Sequence, residues 1–180
     1  MSSRKLSVAN MVLAAMFLAI ALLLPLVTMQ IPQIGSMLCP MHLPVLLCGF
    51  FCGPVYGAIV GAIAPLLRFL IFGMPTIFPS GIGMCVELAV YGLVSGLLYR
   101  VLPKKKMFIY VSLLSAMIIG RIIWGAVRLL LYGLGSSAFT WEVFISGAFL
   151  NAIPGIILQI VLIPVLVMVL EKRIPGMKRK

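Results

Sequence analysis

Apolar runs long enough to cross a bilayer occupy almost the whole of this chain, and they dictate its fold class before any single residue is weighed. Of 180 residues, 63% are hydrophobic and the mean hydropathy is +1.26, whereas soluble domains are about 45–50% apolar. A hydrocarbon core about 30 Å thick needs about 20 helical residues to cross it. With no water at that depth, each helix must satisfy its own backbone N–H and C=O groups. The chain therefore reads as an all-α integral membrane protein. It forms a single transmembrane unit over residues 1–180, with no polar stretch long enough for a soluble domain.

Six spans follow, at residues 6–27, 41–52, 55–72, 81–102, 107–132 and 141–170. The second is short, and Gly53-Pro54 makes the tight turn into the third. The fifth is long enough to tilt. The first is too long for the apolar part of a signal peptide and no small-x-small cleavage site follows it, so it reads as a retained span.

The net charge of +11 is clustered. Beside the spans lie Arg4 and Lys5; Arg100 and Lys104 to Lys106; and Lys172, Arg173, Lys178, Arg179 and Lys180. With six spans, both termini and the turn after the fourth span fall on one side. All three clusters are then cytoplasmic under the positive-inside rule. The connections 28–40, 73–80 and 133–140, which lack Lys and Arg, face outside. A five-span arrangement would strand one basic cluster outside. The expected location is the cell membrane, with lipid around the bundle. No aromatic-basic soluble surface accompanies the charge, which argues against nucleic acid as a partner.

Arg68, Arg121, Arg128 and Glu87 remain at membrane depth. A charge there costs roughly 3 kcal/mol on insertion scales, so it faces a protein interior or an aqueous cavity. The positive excess of about two asks for a counter-ion, most simply an anionic small molecule. Span direction brings these groups together with His42 and Asn151 in the outer half, with Glu87 about 9 Å below the start of its span at 1.5 Å per residue. Arg121, Trp124 and Arg128 share one helical stripe at i, i+3 and i+7, and Met84, Glu87 and Tyr91 repeat that spacing. Gly147, Asn151 and Pro154 make a third stripe. The three stripes, on spans four to six, are expected to face one chamber. Arginine suits bidentate contact with carboxylate or phosphate, and Tyr91, Trp124 and Trp141 suit enclosure of an organic ligand.

Each member has a plainer reading. Arg68 and Arg128 reach headgroups by snorkelling; Glu87 pairs with an arginine to hold helices together; His42 is a polar cap. Asn151 bonds a neighbouring helix, and Trp141 belongs to an interfacial belt. Two rival functions also stand. One is a membrane enzyme or assembly factor using Glu87 and His42 as acid and base, although span depth argues against a close pair. The other is a self-sufficient anion channel or exchanger with the arginines as filter. No P-loop, HExxH or GxSxG sequence occurs, so ATP hydrolysis is not expected of this chain. Cys39, Cys48, Cys52 and Cys85 lack metal-ligand spacing and read as small packing residues; no cofactor is expected.

Small residues recur at four-residue spacing: Gly49, Gly53, Gly57 and Gly61; Gly92 and Gly96; Ala15 and Ala19. They let helices approach closely where lipid offers no hydrophobic drive. The glycines read as packing within the bundle; Ala15 and Ala19 leave a partner helix open.

These features converge with three segments: 40–50 (PMHLPVLLCGF), then Gly53-Pro54 with Gly57-x-x-x-Gly61; and 72–91, which contains GMP and ELAVYG. With them and the Ala15-x-x-x-Ala19 pair, the chain resembles, over nearly its whole length, the substrate-binding S-components of energy-coupling factor (ECF) vitamin transporters. The resemblance implies capture of a vitamin from outside and docking through Ala15 and Ala19 on a transmembrane coupling (T) subunit. It further implies reorientation driven by two cytoplasmic ATPase subunits. By the same resemblance, Glu87, Tyr91, Arg121, Trp124, Arg128 and Asn151 bind substrate, joining Arg68 and His42 from the charge pattern. The group it looks most like includes pantothenate carriers. Pyridoxine, folate and other vitamins stay open.

Overall fold

The structure, a computed structural model, describes residues 8–28, 39–103, 105–133 and 152–173. Among them the elements are α1 (Val8–Thr28), α2 (His42–Cys52), α3 (Pro54–Phe72), an irregular turn (Ile77–Gly81), α4 (Ile82–Val101), α5 (Met107–Gly133) and α6 (Ile153–Arg173). All of these helices except α2 are long and apolar enough to cross a membrane. The 11 residues of α2 cover about 16 Å at 1.5 Å per residue, roughly half the hydrocarbon thickness. The expected second span is thus a half-length helix. The start of the expected sixth span, with Trp141, Glu142, Gly147 and Asn151, lies outside the described residues, as does most of 28–40 and of 133–140.

The apolar composition of α2 has no polar side, and a helix apolar all round belongs in an interior. All but Phe51 of its residues are buried, and it touches α1, α3, α4 and α6. By contrast α1 is two-faced. It buries Ala14, Phe17, Ala21 and Pro25 and exposes Val8, Met11, Val12, Met16 and Leu23. Ala15 and Ala19 lie on that exposed face. Phe17 stacks on Phe51 of α2, ring centroids 6.3 Å apart. In lipid, such an outward apolar face is solvated by acyl chains.

Backbone meets backbone where α2, α3 and α4 cross, at Gly49, Gly57 and Gly92. A Cβ on Gly49 or on Gly57 would stand 2.6 Å from the Gly92 carbonyl oxygen, and one on Gly92 would collide with the Gly57 backbone. Gly96 repeats the motif one turn on, where a Cβ would sit 2.6 Å from the Gly49 carbonyl oxygen. The four-residue glycine spacing is therefore internal packing, as its pattern suggests. Gly92→Ala is expected to destabilise the bundle by about 1–3 kcal/mol, the usual scale of overpacking, although alanine is the better helix former. A melting temperature in detergent equal to that of the parent protein would refute the tight crossing.

One end of the bundle is tied by polar contacts. Arg100 Nη2 donates to the Cys52 carbonyl at 3.0 Å, beside Gly53, whose φ of 101° only glycine adopts without strain. Tyr99 donates its hydroxyl proton to Glu171 Oε1, joining α4 to α6. These ties put Arg100, Lys105, Lys106 and Lys172 at the same end.

Candidate ligand cavity

At the opposite end, where α2 begins, a cavity of about 290 Å³ opens between α1, α2, α3, α4, α5 and the 73–80 connection. That is close to the lower bound of small-molecule sites, about 300–1,000 Å³. Most of its wall is apolar: Pro25 of α1, Met41 before α2, Met74 and Pro75 of the connection, Met84 of α4 and Trp124 of α5. Set into that wall are His42, Arg68, Glu87 and Arg121, which are 3%, 5%, 2% and 7% exposed. Charges so far from water act strongly on one another and on anything that enters.

Glu87 is the hub. Its Oε1 lies 3.2 Å from Arg121 Nη1 and 3.7 Å from His42 Nε2. The His42 ring meets Tyr91 edge-on at 5.3 Å between centroids. Tyr91 itself stands behind the cavity, its ring filling the space that the missing side chain of Gly120 leaves on α5. Glu87 thus has both of its sequence readings at once: it pairs with an arginine between α4 and α5, and it faces the cavity.

Several expectations need correction. Span depth argued against a close His42–Glu87 pair, yet the two are neighbours. The reason is that α2 is short and recessed, so its first turn meets α4 well below the start of that helix. The chamber was expected between the last three spans. Of these, the fourth and fifth spans, α4 and α5, do line it, together with α1, α2 and α3; no described residue of α6 does, Pro154 is exposed, and Gly147 lies outside the described residues. Arg128 does not line it either. Its Nη1 donates to Ser80 Oγ at 3.0 Å and its Nη2 to the Tyr132 hydroxyl at 3.4 Å. Its guanidinium lies 5.1 Å from the ring centroids of both Trp124 and Tyr132. Counting arginines against carboxylates, the positive excess at the cavity is therefore one charge: Arg68 and Arg121 against Glu87. Asn151 lies outside the described residues.

The wall also contains residues the sequence did not single out for binding. Cys39, expected to be a packing residue, lines the cavity with a φ of 46°, a strained value for a non-glycine residue and one that clusters at functional sites. Burial pushes its thiol above the ordinary value, although Arg121 lies beside it. Met74 and Pro75 sit in a connection whose lack of charge was the one available signal. The peptide bonds Met74–Pro75 and Phe78–Pro79 are cis. Among the described residues no cluster of His, Cys, Asp and Glu is arranged to hold a metal.

The family model of the ECF transporter, substrate-specific component, matches residues 9–167. The chain belongs to this family. Neither curated proteins nor solved structures gave a match. As an S-component the chain is a multi-pass cell-membrane protein and a substrate-binding subunit for vitamin uptake; it is not an enzyme. Membership implies a vitamin substrate, a membrane coupling subunit and an ATPase module. The acid–base alternative, which needs an enzyme, accordingly falls despite the nearness of His42 to Glu87.

Proposed function

We propose that this S-component captures a small vitamin carrying a single negative charge, with pantothenate first among candidates, for uptake by an ATP-driven ECF transporter. The observation that carries the reading is the cavity wall. Arg68, Arg121, Glu87 and His42 are buried in an otherwise apolar surround, with one positive charge in excess. A monocarboxylate balances that excess. Pyridoxine has no carboxylate and leaves it unbalanced. Folate is a larger dianion, poorly suited to a space of about 290 Å³. Pantothenate also carries hydroxyl and amide donors that suit the Glu87 carboxylate. In this site His42, Arg68, Glu87, Arg121 and Trp124 contact the ligand, and Tyr91 supports His42 from behind.

In this reading the whole chain is one binding unit of six membrane-embedded helices, the second of half length, with both termini cytoplasmic. The gathering of Arg100, Lys105, Lys106 and Lys172 at the end away from the cavity supports that orientation. A coupling subunit meets α1 at Ala15 and Ala19, and two ATPase subunits supply the energy. The test is titration calorimetry of the purified protein with pantothenate, pyridoxine and folate, with mass spectrometry of small molecules retained through purification. Pantothenate is expected to bind at least a hundredfold more tightly than the other two. Preferential binding of pyridoxine or folate, or retention of an uncharged molecule, would overturn the assignment.

A further inference from the structure

Arg128 is the one embedded arginine that turns away from the cavity, yet both Ser80 and Trp124, which it holds, connect it to the cavity wall. Ser80 ends the 73–80 connection, which contributes Met74 and Pro75 to that wall. Trp124 lies in the wall itself. Gly83 gives the two side chains room: a Cβ there would stand 3.3 Å from Arg128 Cδ, a tight contact, and 3.4 Å from the Trp124 ring. The guanidinium lies between Trp124 and Tyr132, one turn to either side on α5, and this aims its Nη1 at Ser80. Cation–aromatic contacts strengthen where water is excluded.

We propose that Arg128 is a clasp: by holding Ser80 it keeps the 73–80 connection closed over the cavity and so sets the rates at which ligand enters and leaves. It is a positioning residue, not a ligand contact. The proposal rests on the cavity being the ligand site, but not on which vitamin occupies it. Opening the clasp requires release of one charge-assisted hydrogen bond, and the exposed connection around Phe78 offers little apolar burial to oppose the movement.

The native Cys39 thiol, inside the cavity, reports the opening without any ligand. The full-length protein in detergent is treated with a negatively charged methanethiosulfonate reagent, and modification at Cys39 and Cys85 is followed by peptide mass mapping. Cys85 lines a separate apolar groove between α3 and α4 and serves as the reference. Ser80→Ala and Arg128→Gln are each expected to speed labelling of Cys39 about tenfold, the scale of one lost hydrogen bond to a charged group, with Cys85 unchanged. Combining the two should add nothing further. With radiolabelled pantothenate, association and dissociation should both accelerate while the dissociation constant changes much less. Unchanged Cys39 labelling overturns the clasp. So does a parallel rise at Cys85 with a lowered melting temperature, which marks general loosening. Faster Cys39 labelling in a protein that binds no pantothenate leaves the clasp standing and sinks the choice of vitamin.

Discussion

Arg121→Met is expected to abolish measurable pantothenate binding, a loss of at least a hundredfold, and to destabilise the protein by about 3–5 kcal/mol, the scale of breaking a buried ion pair from one side. Arg121 is joined to Glu87 at 3.2 Å, and both are almost wholly buried. Removing the cation leaves the carboxylate facing an apolar wall, with the His42 ring 3.7 Å away. The companion variant Arg121→Met with Glu87→Gln removes both charges. It should regain much of the lost stability, because two neutral groups need no counter-ion, but it should not regain binding. The check is a double-mutant cycle read in two ways, as melting temperature and as calorimetric affinity. If the double variant binds as well as the parent protein, the pair only holds α4 to α5 and the ligand is recognised elsewhere.

The second large effect belongs to the opposite surface. Ala15→Trp together with Ala19→Trp is expected to leave pantothenate binding by the isolated protein unchanged, while uptake in proteoliposomes containing the coupling subunit and both ATPases falls at least tenfold. The two alanines lie on the exposed face of α1, on the far side of that helix from Phe17 and Ala21, so added bulk meets nothing inside the bundle. Close helix contact in lipid depends on small residues, and two indoles would hold a docking helix away. Undiminished uptake by the variant would place the docking surface on another helix.

Arg128 shows where inference from spacing fails. Arg121, Trp124 and Arg128 do share a stripe, and two of the three line the cavity. But α5 extends beyond the cavity, and a stripe conveys direction without saying where the hollow stops. The third member found Ser80 and two aromatic rings instead. His42 shows the reverse failure: depth counted from the start of a span placed it too far from Glu87, because sequence counting cannot register that a short helix begins deep inside a bundle.

Membrane residence, helical class and the family were legible in the chain by itself. They depend on composition, on run length against bilayer thickness, and on short segments whose residue order needs no folding to be recognised. The glycine spacing likewise announced helix contact, since a missing side chain is a local property. Only the tertiary structure decided which helices enclose the cavity, which arginine pairs with Glu87 and which faces away. Those outcomes depend on where the helices come to rest against one another, and contacts between residues far apart in sequence leave no periodic trace in it.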